Sequence, residues 1–185
     1  MFQNLIEMYQ PILNRVQDHI PNAVLAGGSL RDSFYGVEVK DLDFVVETEN
    51  EWRYPVTPTS AWLPNIWPDK QWQWANAEIL AEYEQAMNEA GLLDVVKSTD
   101  DTVNFIIVRN IKQYTNHFPD SISEMVFDGE QVFVSQRWET GHANQEVYYK
   151  DIQPARLEKL QRKYPDWSFQ NEAVQQDLFA VPLEW

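Results

Sequence analysis

The chain has no cysteine, so neither a disulfide framework nor a thiolate metal site is open to it, and a reducing compartment fits its composition. Histidine is almost as scarce: His19, His117 and His142 are scattered without ligand spacing, which removes the usual zinc patterns. Positive charge is short as well, with 14 Lys and Arg against 29 Asp and Glu and a net charge of -15. A protein that held a long nucleic acid by its phosphates would carry a basic stripe, because counterion release supplies most of that affinity. Here the mean field opposes such binding. A small anion can still bind where metal ions and oriented amides cancel the charge locally. No stretch reaches the ~20 apolar residues of a membrane span, and the first residues lack the basic start and apolar run of a signal peptide. The expectation is a soluble, cytoplasmic chain with no membrane contact.

Set against these absences, 44% of the 185 residues are hydrophobic and 14% aromatic, enough to bury one real core. A single domain over 1–185 is expected. Apolar residues from Phe2 to Ile20 recur every three or four positions, as on one face of a helix, with Pro11 kinking or dividing it. A short apolar run over 23–27 predicts a first strand, a brief helix follows from Ser29 to Gly36, and "DLDFVVE" predicts a second strand. Residues 50–75 hold five of the eight tryptophans and four of the ten prolines, which reads as an insertion without regular elements. Beyond it the pattern predicts a helix over 76–90, strands in "LLDVV" and "TVNFIIVRN", a hairpin in "MVFDGEQVFVS" and a helix in "PARLEKLQRKYPDW", with 152–185 forming a C-terminal helix and tail. This order predicts an α+β domain built on one mixed sheet flanked by helices.

Glycine is rare too, yet three of the six cluster around one Ser-Leu-Arg-Asp, in "GGSLRDSFYG". Gly27 and Gly28 leave a strand and enter a helix, where residues without Cβ let a ligand approach the backbone and the next amides can receive a phosphate. Ser29 can add a hydroxyl donor. The plainer reading is a capping box, with Ser29 as N-cap and Asp32 three residues on. Asp41 and Asp43 then stand at i and i+2 on the second strand, so both carboxylates face one way, opposite Leu42 and Phe44. Such a pair can share hard divalent cations; its plainer reading is a solvated strand edge. Together, a phosphate-cradling turn and a carboxylate pair on the neighbouring strand can hold one ligand by its phosphates and its metals.

"GGSLRDSFYGVEVKDLDF" resembles the signature of the polymerase β-like nucleotidyltransferase superfamily, most closely the head domain of bacterial poly(A) polymerases and tRNA CCA-adding enzymes. The likeness covers about twenty residues, Gly-Gly-Ser-x-Arg-Asp through Asp-Leu-Asp-Phe, and beyond them only the order of elements. It implies a polymerase β-like nucleotidyltransferase fold. It also implies a metal-dependent enzyme in which Gly27, Gly28 and Ser29 hold the triphosphate of an NTP such as ATP and Asp41 and Asp43 bind Mg²⁺ or Mn²⁺. Arg31 and Asp32 match the motif's Arg-Asp pair, with a structural or phosphate-orienting role. Many members carry a third carboxylate on a later strand; Asn104, in "TVNFIIVRN", stands nearest that position, and Asp94, Asp101 and Glu124 are the candidate substitutes.

The function expected on this basis is transfer of a nucleoside monophosphate from an NTP to a hydroxyl acceptor by a two-metal mechanism. An RNA or tRNA 3′ end comes first, a small molecule or a protein side chain second. Alternatives are a silenced nucleotidyltransferase-fold adaptor and an acidic DNA mimic. Trp52, Trp62, Trp67 and Trp72 of the insertion either stack on a base or acceptor, pack the loop down, or meet a protein partner. Arg156, Lys159, Arg162 and Lys163 of the last helix either reach the triphosphate or an RNA end, or form ion pairs.

Overall fold

The computed structural model describes residues 1–49, 53–81 and 83–172. Trp52 and the tail over 173–185 lie outside the described residues. Strands β1 (Val24–Ala26), β2 (Leu42–Glu47), β3 (Trp72–Trp74), β4 (Leu92–Ser98), β5 (Val103–Val108), β6 (Met125–Phe127) and β7 (Val132–Val134) form one sheet in the order β3-β4-β5-β2-β1-β6-β7. Only β2 and β5 run parallel; the other neighbours are antiparallel, so the sheet is mixed and the domain is α+β. β5 is buried along its whole length, as its apolar run over both faces requires. Among the described residues no helix is long and apolar enough to cross a membrane.

Alternation along the strands divides the core in two. Leu25, Phe44, Val46, Phe105, Ile107, Met125 and Phe127 face one way, onto α1 (Gln3–Gln17) and Leu30 of α2 (Gly28–Phe34). Val24, Ala26, Val45, Ile106, Val108 and Val126 face the other, toward Ala90 and toward Ile111 and Tyr114 of α6 (Ile111–Thr115). Asp43 precedes Phe44 and follows Leu42, so it belongs to this second face.

Several expectations need correction. Pro11 does not divide α1, which runs unbroken for 15 residues. The carbonyl that Pro11 leaves without a donor is that of Glu7, an exposed residue open to solvent, while Leu5, Tyr9, Leu13 and Val16 stay buried. The insertion is not without regular structure: it holds α3 (Leu63–Ile66) and the edge strand β3, whose Trp72 pairs with Ser98 of β4. The pattern over 76–90 divides into α4 (Ala77–Ala81) and α5 (Glu84–Glu89). Ser29 is not a cap, because α2 begins one residue earlier, with Gly27 in the capping position and no side chain bonding the first amides. The hairpin forms with Asp128 and Gly129 in its turn, where Asp128 Oδ1 accepts from the amides of Glu130 and Gln131 at 2.8 Å each.

Beyond the hairpin come α7 (Gln136–Asn144), β8 (Glu146–Tyr149), α8 (Pro154–Lys163) and β9 (Ser168–Asn171). β8 and β9 pair in parallel as a small second sheet, and Val147 packs with Leu160 and Tyr164. Sequence patterning missed α7 and this second sheet. The α8 helix is tied to α2 through one acid: Lys163 Nζ and the Tyr164 hydroxyl both donate to Asp32, the latter at 2.7 Å. Arg31 Nε donates to the same carboxylate at 2.6 Å and to the Tyr164 hydroxyl at 3.1 Å.

Candidate nucleotide site

The sheet's second face, the turn before α2 and helix α8 enclose a cavity of about 460 Å³, within the range of small-ligand sites. Gly27, Gly28, Arg31, Asp41 and Asp43 all line it. The turn takes this course because Gly27 has φ +75° and ψ -126°, a region open only to glycine. Its amide donates to Met125 O at 2.9 Å, which fixes the turn against β6.

Asp41 directly precedes β2 and Asp43 is its second residue, both part-exposed. Burial, and next to it the negative charge of Asp41, push the Asp43 carboxyl up to about 6, while the Asn104 amide, Arg156 and Arg31 pull the other way. Asn104 sits directly opposite Asp43 in the parallel β2–β5 register and donates Nδ2 to Asp43 Oδ1 at 2.9 Å. The neighbour of the pair is therefore an amide, a donor to the carboxylate and no proton acceptor.

None of the substitute acids reaches the cavity wall. Asp94 is on β4, accepting from the Val95 amide; Asp101 is in a tight turn at φ +58°, paired with Lys97; Glu124 is buried against Arg137 and Ser135. Among the described residues no cluster of three or more His, Asp and Glu can hold a metal ion. Four carboxylates line the cavity, Asp41, Asp43, Glu89 and Asp151, and the first two are the pair the sequence marks for a cation. These two repel each other, and neither is joined to Lys or Arg by an ion pair among the described residues.

Ser29 and Arg31 differ from their neighbours. Ser29 is 1% exposed inside α2, its Oγ buried without a hydrogen-bond partner, and it does not line the cavity. Arg31 touches the cavity, but its guanidinium is held by Asp32, by Ser123 Oγ at 2.8 Å and over the Tyr164 ring. Burial opposes the charge of Arg31, yet these partners and Asp120 outweigh it and keep the group fully protonated.

Of the remaining walls, the sequence pointed to Arg156 and Lys159 but not to Lys40, Tyr83 or Tyr114. Tyr83 precedes α5, and Tyr114 lies on α6; both phenols are pushed up, first by burial and then by the charge of Asp43. Tyr114 is 8% exposed, and its spacing in an apolar pattern gives no sign that it borders a cavity. From α8 come Arg156 and Lys159, and from the segment before β2 comes Lys40. Arg31, Lys40, Arg156 and Lys159 place four of the chain's 14 basic side chains around one cavity, offsetting the acids there.

The tryptophans of the insertion are elsewhere. Trp67 meets Phe44 at 5.8 Å between ring centroids, and Trp62 and Trp72 meet Phe105 at 5.7 and 5.6 Å, all on the first face of the sheet. Asp43 faces the opposite side. These three rings pack the insertion onto the core.

Fold and site together define an α+β domain in which a Gly-Gly turn and a strand-borne carboxylate pair share one cavity of nucleotide size. No protein-family model and no curated protein matches the chain. Solved structures of tRNA-processing enzymes are similar to it. A "tRNA-processing enzyme (apo form I)" is 17% identical with a TM-score of 0.43, over 80% of this chain and 37% of that one. A "tRNA-processing enzyme with CTP" is 14% identical with a TM-score of 0.43, over 73% and 34%. A third, "tRNA-processing enzyme complex 3", is 16% identical with a TM-score of 0.38, over 69% and 32%. The chain spans about a third of the length of each.

Proposed function

We propose that the protein binds a nucleoside triphosphate in this cavity and transfers its nucleoside monophosphate to a hydroxyl acceptor, on a polymerase β-like nucleotidyltransferase fold. A single observation carries the reading: Gly27 and Gly28 line the same cavity as Asp41 and Asp43, although a helix and a loop separate them in sequence. The resemblance of residues 27–44 to the superfamily signature supports it.

Asp41 and Asp43 are the residues that would hold Mg²⁺ or Mn²⁺, and Gly27 and Gly28 those past which the phosphates lie. Divalent ions bound there would neutralise the phosphates and make the acceptor hydroxyl and the leaving pyrophosphate more acidic. The acceptor oxygen forms a bond to the α-phosphorus as the bond from that phosphorus to the bridging β-oxygen breaks. Pyrophosphate leaves with the electron pair, and the hydroxyl proton passes to water. Asn104 takes no part in that proton transfer; its amide fixes the rotamer of Asp43 so that one carboxylate oxygen stays free. Positioning and charge stabilisation do the rest. The acceptor is an RNA or tRNA 3′ end first, a small molecule or protein second.

One observation favours a second reading, in which the nucleotide binds without being transferred. The residue opposite Asp43 on β5 is an amide, which cannot accept the acceptor's proton. Incubating the protein with each α-labelled NTP, Mg²⁺ or Mn²⁺ and total RNA separates the two. Label in the RNA or in another acceptor, lost in Asp41→Ala and Asp43→Ala, supports transfer. A thermal shift with an NTP but no label in any acceptor supports binding alone, and the absence of both refutes the nucleotide reading.

A further inference from the structure

Helix α8 directs three cations to one side: Arg156, Lys159 and Lys163 stand at i, i+3 and i+7, within about 60° around the axis. Two of them are engaged with buried acids. Arg156 Nε and Nη2 donate to Asp120 Oδ2 at 3.0 and 2.9 Å, and Asp120 is 0% exposed; Lys163 donates to Asp32, which is 3% exposed. Lys159, between these two anchors, lines the cavity at its exposed mouth and makes no hydrogen bond or ion pair among the described residues. Its ammonium pKa is lowered, first by the hydration lost to the walls; Asp41 opposes this, while Lys163, Lys40 and Arg31 add to it by repulsion. A helix pinned at both ends thus holds an unpaired cation over the cavity, among three like charges.

Asp41 acts on Lys159 by its charge but forms no ion pair with it among the described residues, so an anionic ligand beside Lys159 answers the crowding of like charges. We propose that Lys159, with Arg156 and Lys40 beside it, seats the terminal phosphates of the ligand, so that α8 makes the cavity select a polyphosphate over a monophosphate. This rests on the nucleotide reading above and adds to it the group that distinguishes an NTP from an NMP. It also accounts for anion binding by a chain of net charge -15: Arg31, Lys40, Arg156 and Lys159 offset locally the four acids that line the cavity.

Lys159 is the residue to change, because removing Arg156 would strand the buried Asp120 charge. The full chain, its Lys159→Met variant and its Lys159→Arg variant are titrated by calorimetry with the four NTPs, AMP and inorganic tripolyphosphate, in Mg²⁺. Lys159→Met is expected to weaken the best NTP and tripolyphosphate by about tenfold, the weight of one charge-assisted hydrogen bond, and AMP by less than about twofold. Lys159→Arg restores most of the loss. Unchanged NTP and tripolyphosphate binding in Lys159→Met overturns the inference while leaving the nucleotide reading standing. Lys159-dependent binding of tripolyphosphate, with no NTP bound more tightly than tripolyphosphate itself, upholds the anion seat and removes the nucleotide reading. Binding of neither by the unaltered chain overturns both.

Discussion

Replacing Asp43 by Asn should stabilise the fold while abolishing transfer. The native carboxyl holds its proton up to about pH 6, because burial and Asp41 disfavour its charge, whereas the ordinary value of such a group is 3.8. Below 3.8 the residue is neutral in both folded and unfolded chains and contributes nothing to the difference. Between 3.8 and 6 the unfolded chain has released the proton while the native chain still holds it, so stability is lost across that window and levels off above 6. The displacement corresponds to about 3 kcal/mol at pH 8 at most. Water in the cavity relieves part of it, leaving an expected gain of about 2 kcal/mol for Asp43→Asn, or about 4–8 °C in Tm for a chain of this size. Asn keeps an oxygen to accept from the Asn104 amide, so that bond survives the change. Melting curves of both proteins at pH 4 and pH 8, with chelator and with Mg²⁺, test this. The variant should gain at pH 8 in chelator, gain nothing at pH 4, and lose the metal-dependent shift of the unaltered chain. Equal or lower stability of Asp43→Asn at pH 8 would refute the reasoning, since the pair would then not be electrostatically strained.

Asn104→Asp puts a third carboxylate opposite Asp43; in chelator it should lower stability by about 1–3 kcal/mol, and in Mn²⁺ it should show a larger thermal shift than the unaltered chain. Asp32→Ala removes the acceptor shared by Arg31, Lys163 and Tyr164 and leaves Arg31 buried without its ion-pair partner. A loss of about 3–5 kcal/mol in urea unfolding is expected, with α8 the first element to lose protection from hydrogen exchange. Glu124 is pushed up to about 7 by burial, against the pull of Arg137 and Ser135, from an ordinary 4.5. The unaltered chain should therefore lose up to about 3 kcal/mol as pH rises from 4.5 through 7, and Glu124→Gln should flatten that part of the stability profile.

The strand of Asp43 was legible because period two sends Phe44 to the core and Asp43 the other way, while Asp41, just before β2, lines the same cavity. The glycine turn was legible because few residues tolerate a positive φ, and Gly27 is at +75°. Ser29 was read less well. The sequence marks a helix start to within a residue, and that one residue moved Ser29 from the cap into a buried helical position. The insertion misled for a related reason, since proline spacing forbids a long element but not the four-residue α3 or the three-residue β3, which draws its hydrogen bonds from β4.

Local rules thus determined β1, β2 and β4 to β7, the glycine turn and the facing of Asp43, because each depends on neighbours a few residues away. Only the tertiary structure decided that β2 lies against β5, so that Asn104 meets Asp43 across 60 residues of chain, and that α8 returns to lay Lys159 over the same cavity. Register between distant strands and the docking of a final helix are set by burial of whole faces, a property of the assembled core that no window of sequence contains.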